Sequence, residues 1–498
     1  MRPAWVGVDL GTQSVRALAL ADDGTTLAVA VRPLTSRRDG ARHEQDPGSW
    51  WDAARDALRE LTDTLPADVV PQAVAVSATS GTVVPVSRAD GRPAGPGVMY
   101  DDRRGAPYLA RVTDAGAELF ARLGYRMQAS WGLPTIVALH EDGLLDGDVV
   151  VAHQPDVVTA RLAGRRVPSD LSSALKSGAD LDAVGWPVDV LAELGLSVDR
   201  LNGLARSGDV VAEVAPEGSA ETGLPVGCRI VAGMTDGCAA QLAAGALSPG
   251  AWNSVLGTTL VMKGAAAERR TDPTGTVYAH RAPFDGGWFP GGASSTGAGA
   301  LTHWLPGRDL QHLTDEVGTS PRAVAAYPLV GRGERFPFVA EDAEAFFPDD
   351  THGDAAVFAA VLAGVAWVER LALDLLELVG YDVSGPLLLT GGGARNPVWN
   401  QLRADVLGRT VHLPVQAEGA AGMAVLAAAG VAAAASPTTP DPLGVTAARL
   451  LAPPTSVEPR PARHRILAGA YRTFLDELSR RGWVDRGLLE HAYAGVDA

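Results

Sequence analysis

Asp9 ends the apolar run "WVGVDL" and is followed at once by Gly11, Thr12 and Gln13, then by a second apolar run. Glycine lets backbone N–H groups approach an anion, and a threonine hydroxyl adds a further donor. A carboxylate at the mouth of such a turn suits Mg²⁺, which takes one or two protein carboxylates and keeps its waters. Roughly half a chain later "AWNSVLGTTLVMKG" repeats the arrangement, with Gly257, Thr258 and Thr259 between apolar runs. A single D-x-G-T is equally a tight turn with an exposed aspartate; its recurrence points to two hairpins that grip a polyphosphate. A third loop, Gly391, Gly392 and Gly393 in "TGGGARNPVWNQLR", ends a strand and opens a helix, a setting that favours a nucleotide. Asn396 is placed to hydrogen-bond a base or ribose, with Trp399 near it. The same residues also suit an ordinary strand-to-helix turn and a core aromatic. No Walker P-loop occurs. Asp236, in "IVAGMTDGCAAQLAAG", lies between a buried strand and an Ala-rich helix. There a carboxylate can take the proton of an attacking hydroxyl, or it can simply cap the helix.

The elements that must position these residues read clearly. Residues 4–32 form paired strands around turns at Gly11 and at "DDG", 22–24. In "HEQDPGSWWDAARDALRELTDTL" Asp46 caps a helix, Pro47 takes its first position, and Trp51, Ala54, Leu58, Leu61 and Leu65 make its apolar face. "AVAVSATSGTVVPVS", 73–87, is strand, turn, strand, and a helical region follows to about residue 165. After residue 250 the pattern restarts. "FPGGASSTGAGALTHWL" reads as a glycine turn into a helix, and an amphipathic helix spans about 354–379, stopped by Gly380. The tract 419–436 reads as a packed helix, "SPTTPDP" as a linker, and the rest from about 443 as a helical tail. The expected organisation is α/β, two halves related by duplication, residues 1–246 and 247–498.

At 498 residues two lobes are the natural expectation. The net charge of −16 argues against nucleic acid, whose phosphates need a basic face. It leaves room for a nucleotide in a local pocket. Two cysteines, Cys228 and Cys238, are too few for a disulfide framework and suit buried thiols of a reducing cytoplasm. No signal peptide or bilayer-spanning tract is read, so the expectation is a soluble cytoplasmic protein, a monomer or homodimer, with a small molecule as partner.

The D-x-G-T strand turn, the second Gly-Thr turn, the G-G-G-A-x-N loop, the "HEQDPGSWW" segment and the Asp of "TDG" occur in an order that resembles the FGGY carbohydrate kinase family. The likeness runs over nearly the whole chain. It implies two RNase H-like domains of the actin, hexokinase and Hsp70 ATPase fold, with an active site in the cleft between them. It further implies ATP and Mg²⁺ as cofactors, Asp9 for the metal, and Thr12 and Thr258 for the phosphates. Gly392 and Asn396 then lie near the adenosine, and Asp236 is the catalytic base. Xylulokinases carry Gln-Met-His-Gly where this chain has "SATSGTVV", and a glycerol kinase signature is missing. "SATSGTVV", "SDLSSALKSG", "GTVYAHR", "YPLVGRGERFP" and "GGGARNPVWNQLR" resemble the small pentulose kinases that act on D-ribulose, which nominates Ser80 with Asp236 for the ketose. Relatives often have Ser where this chain has Gly237. Asp102 in "MYDDRR" and Lys176 in "ALKSG" are weaker candidates. The expected reaction is transfer of the ATP γ-phosphoryl group to the C5 hydroxyl of D-ribulose. The alternatives are another ketose or polyol, and an Hsp70- or actin-like ATPase; some 55 residues after 443 are too few for a peptide-binding domain.

Overall fold

The computed structural model describes residues 1–497. The chain forms two compact units. The first comprises Met1–Gly245, His280–Trp288 and Gln416–Ala452; the second comprises Ala246–Ala279, Phe289–Val415 and the chain from Pro453 on. A single cut at 246 therefore does not describe them. The chain leaves the first unit at Gly245 but returns to it twice, and the expected C-terminal tail is divided between the two units.

The first unit is built on a six-stranded sheet ordered Val210–Glu213, Arg229–Val231, Val69–Ala78, Arg2–Leu10, Ser14–Ala21, Thr26–Pro33. Arg2–Leu10 runs antiparallel to Ser14–Ala21 and parallel to Val69–Ala78. In the second unit Trp252–Leu256 runs antiparallel to Leu260–Gly264 and parallel to Leu387–Thr390, which is followed by parallel Val411–Leu413 and antiparallel Thr455–Val457. Order and direction match strand for strand, and the second sheet adds one edge strand, Tyr278–Arg281. The duplication read from two Gly-Thr turns is a duplication of the whole sheet.

The Pro47–Thr64 helix forms as its sequence dictates: Asp46 accepts from the Gly48 amide and Pro47 fills the first position. Its buried face, with Trp50, Ala54, Leu58 and Leu61, closes one side of the first sheet. On the central strand Gly7 admits the backbone of the Gly419–Ala435 helix: a Cβ on Gly7 would lie 1.8 Å from the Ala420 carbonyl oxygen. The same helix approaches Asp236–Ala244 through Gly422, whose Cβ would lie 2.0 Å from the Ala239 carbonyl oxygen. The Ala and Gly of this tract are what backbone-to-backbone packing demands. Gly7→Ala is expected to destabilise the fold by at least about 3 kcal/mol, because backbone rather than a movable side chain fills the space. An unchanged urea midpoint would contradict that close approach.

In the second unit Asp354–Leu378 is apolar on all sides rather than amphipathic, and its side chains from Phe358 to Leu376 form the core. It is long and apolar enough to cross a membrane by length and composition, yet here it is a core helix. Its Glu369 forms a fully buried pair with Arg403 (2.6 Å), and Arg403 also donates to Ser254 on the central strand (2.8 Å). Two local expectations fail. "FPGGA" is strand (Trp288–Ala293), paired antiparallel with Leu260–Gly264, and its glycines are needed because the Met262 carbonyl and the Phe336 ring occupy the Cβ space of Gly291 and Gly292. The stretch before 165 contains a strand, Val149–His153, paired with Val83–Ser87. Both cysteines are buried thiols, and burial pushes Cys228 up to about 12.

Candidate active site

Asp9 lies at the end of the central strand of the first unit, with Ser77 beside it on one neighbouring strand and Arg16 on the other. Ser77 Oγ donates to Asp9 Oδ1 at 2.7 Å. The first turn of the Gly419–Ala435 helix abuts the carboxylate: a Cβ on Gly419 would lie 3.0 Å from Asp9 Cγ and press on it. Arg16 is tied to Glu418 at 2.8 Å. Burial raises the Asp9 carboxyl to about 6; the Ser77 bond and the Arg16 charge pull it down, while the charges of Asp236 and Glu418 push it up. Asp9 and Asp236 are therefore near enough to feel each other's charge, although 227 positions separate them in the sequence.

Asp236 is not the helix cap. Thr235 holds that position and Asp236 is the first helical residue, exposed, with its Oδ1 accepting from the Gly237 amide at 2.7 Å. A carboxylate held there is reachable by a substrate hydroxyl. Its mount is rigid: a Cβ on Gly233 would strike the Val76 carbonyl oxygen at 1.8 Å, and Thr235 bridges to Ala78.

The Gly11–Gln13 turn is held by its backbone. Gly11 N–H donates to Ser14 O (3.0 Å), and Leu34 N–H donates to Gln13 O (2.7 Å). Gln45 Nε2 donates to Thr12 O (2.7 Å), and its Oε1 accepts from the buried Trp50 indole (2.6 Å). The "HEQDPGSWW" segment thus fastens the turn, while the Gln13 side chain is exposed. The Thr12 side chain meets Tyr100, whose hydroxyl is raised by burial and by the charges of Asp101 and Asp236. Tyr100 is a residue that sequence reasoning missed, although it stands two positions before Asp102. Asp102 itself is fully buried and accepts from the His43 amide and Arg104, so it is structural.

Ser80 and Lys176 meet at the next turn. Lys176 Nζ donates to Ser80 O (3.1 Å) and lies 5.7 Å from the Trp131 ring centroid. Gly81, at φ 101°, passes between the Lys176 stem and Tyr100. Ser80 Oγ is covered and has no hydrogen-bond partner among the described residues. A buried hydroxyl left without one is costly and points to a ligand.

In the second unit the Gly257–Thr259 turn carries the "STGAG" loop. Ala298 N–H donates to Gly257 O and Gly299 N–H to Thr258 O. That loop is anchored by buried Glu334, which accepts from Ser294 Oγ (2.8 Å), the Ser295 amide (2.6 Å) and the Tyr327 hydroxyl (2.7 Å). In the third loop Gly391 and Gly393 are fixed by packing, since their Cβ positions would lie 2.6 and 2.5 Å from Leu256. Asn396 caps the helix Pro397–Leu407: its oxygen accepts from the Trp399 amide, and its nitrogen donates to Thr314 Oγ1 on the helix Leu310–Val317. Trp399 is core, with its indole bonded to Leu362 O.

The glycines sort themselves by cause. Gly7, Gly391 and Gly393 are demanded by neighbouring chain. Gly11 and Gly257 meet nothing closer than 3.4 and 3.8 Å, and Gly392 meets nothing within 4 Å. One glycine in each of the three proposed phosphate or nucleotide loops is therefore free of any internal steric reason, as a surface approached by a ligand requires. Among the described residues no three His, Cys, Asp or Glu side chains gather as a metal cage. A partly buried carboxylate such as Asp9 suits Mg²⁺, which takes one or two protein carboxylates and keeps its waters, rather than a transition metal.

The chain matches family models for the N-terminal domain (residues 4–243) and the C-terminal domain (residues 253–431) of the FGGY family of carbohydrate kinases. It is 31% identical over 452 residues to a xylulose kinase of Streptomyces coelicolor, covering 86% of this chain and 88% of that one. It is 22% identical over 436 residues to a gluconokinase of Bacillus licheniformis, covering 82% and 84%. Among solved structures a xylulose kinase from Rhodospirillum rubrum superposes with a TM-score of 0.82 at 26% identity, over 96% of this chain and 98% of that one.

Proposed function

The chain belongs to the FGGY family of carbohydrate kinases, and from that premise we propose that it transfers the γ-phosphoryl group of ATP to the C5 hydroxyl of D-ribulose, giving D-ribulose 5-phosphate. The observation that carries the reading is the pairing of Asp9, partly buried beside a helix N-terminus, with the exposed Asp236. Asp236 takes the proton of the sugar hydroxyl as that oxygen bonds to phosphorus, while the bond from phosphorus to the β-phosphate oxygen breaks and ADP leaves. Thr12 and Thr258 supply hydroxyls, and the open faces of Gly11, Gly257 and Gly392 supply amides and clearance, for the phosphates and nucleoside of ATP. Asp9 is the group that would hold Mg²⁺, whose chemistry is to neutralise charge on the phosphoryl oxygens. Ser80, with its unsatisfied hydroxyl, and Lys176 are assigned to the ketose.

The sugar is chosen on the 77–84 segment, where "SATSGTVV" stands in place of the Gln-Met-His-Gly of xylulokinases. D-xylulose is the rival, since the curated relative at 31% identity is a xylulose kinase. ADP release across a panel of ketoses and polyols separates them. D-ribulose is expected to exceed D-xylulose in kcat/KM by about tenfold or more. The reverse order would overturn the sugar, and no turnover with any member would overturn the kinase reading. A reducing cytoplasm suits the two buried thiols, Cys228 and Cys238.

A further inference from the structure

Two segments singled out in the sequence, "SDLSSALKSG" and "GTVYAHR", meet beneath Asp236 in the first unit. Ser172, from the short helix Leu171–Ala174, and His280 are both buried, as is Thr235. Ser172 Oγ lies 3.3 Å from the Thr235 amide, 3.2 Å from Thr235 Oγ1 and 2.9 Å from His280 Nδ1. A serine hydroxyl has two lone pairs and one proton. The arrangement is satisfied when Ser172 accepts from the Thr235 amide and hydroxyl and donates to an unprotonated Nδ1 of His280. Thr235 makes no cap bond of its own, so the start of the helix that bears Asp236 is held from outside that helix. Its anchor is a chain excursion, His280–Trp288, that belongs to the first unit although the residues before and after it belong to the second. Such a buried polar cluster is dearer than an apolar plug of the same shape, and its use is to fix position.

We propose that Ser172 and His280 are positioning residues that set the Asp236 carboxylate for proton abstraction, through the hydrogen bonds Ser172 makes to Thr235. The inference rests on Asp236 as the base. Ser172→Ala removes the junction. His280→Gln keeps a polar side chain but carries its amide past the Nδ1 position, whereas His280→Asn puts the amide near that position. Ser172→Ala and His280→Gln are expected to lower kcat about 10- to 100-fold, the scale of a misplacement of about 1 Å, with KM for sugar and ATP within about threefold. His280→Asn is expected to recover most of the loss. Hydrogen exchange of the peptide covering 232–242 should quicken in the first two variants and stay near wild type in the Asn variant. Unchanged exchange in that peptide, or unchanged kcat in folded variants, would overturn the proposal. So would a fall in kcat that His280→Asn shares. If the wild-type protein phosphorylates no sugar, the functional reading fails, and the exchange measurement alone then decides whether the pair holds the Asp236 segment.

Discussion

Replacing Asp236 by Asn is expected to lower kcat by about a thousandfold or more while ATP binding stays within a few-fold of wild type. The side chain starts the Asp236–Ala244 helix and is exposed, and the bond from the Gly237 amide to Oδ1 survives in an Asn oxygen. Shape is therefore kept, while the negative charge felt by Asp9 and Tyr100 and the capacity to accept a proton go. Removing it leaves the attacking hydroxyl with its proton and a poor nucleophile. Sugar-dependent ADP release and calorimetric titration with a non-hydrolysable ATP analogue read the two quantities separately. Turnover above about a tenth of wild type would take Asp236 out of the mechanism.

Asp9→Asn is expected to do two opposite things: lower turnover by at least about a hundredfold and make the protein more stable at neutral pH. The second follows from linkage. In the folded protein the carboxyl is raised to about 6 from an ordinary 3.8, because burial and the Asp236 and Glu418 charges disfavour its ionised form. The folded state therefore binds this proton more tightly than the unfolded state, and its stabilising effect is fully present only below about pH 4. It is lost as pH rises through 6. At pH 7.5 the wild type carries the full cost of ionising a desolvated carboxylate, which Asn removes, for a gain of about 3 kcal/mol. The gain should shrink as the pH is lowered from 7.5 to 5. Urea unfolding of both proteins at several pH values measures it, and a gain independent of pH would contradict the environment described for Asp9. The same titration weakens cation binding on the acid side, so the Mg²⁺ requirement of turnover should rise below about pH 6 in the wild type only.

Much of this was legible in the chain because the signals were local. Asp46 with Pro47, the Gly-Thr turns and the Ala-rich tract each contain their own physical reason for the structure they form. The repeated hairpin announced the doubled sheet. What stayed hidden depends on long-range contact. Tyr100 has no pattern of its own, and only the fold brings it to Thr12. Asn396 shows no sign in the sequence of Thr314, 82 positions away, to which its amide nitrogen donates. The Val149–His153 strand is only a short β-branched run, and it is strand because Val83–Ser87 offers it an edge. Gly419 is the clearest case. Nothing within the "GAAGMAV" tract says that its first glycine must make room for a carboxylate near the other end of the chain.

That last contact orders events on the ribosome. The central strand of the first unit, with Gly7 and Asp9, is synthesised some 400 residues before the helix that covers it, Gly419–Ala435. At about 5–20 residues per second the strand's bare apolar side waits tens of seconds for its cover. Release of a nascent chain stopped near residue 245 should therefore yield a sticky half-molecule that chaperones retain. Supplying the 416–452 segment in trans is the direct way to rescue it.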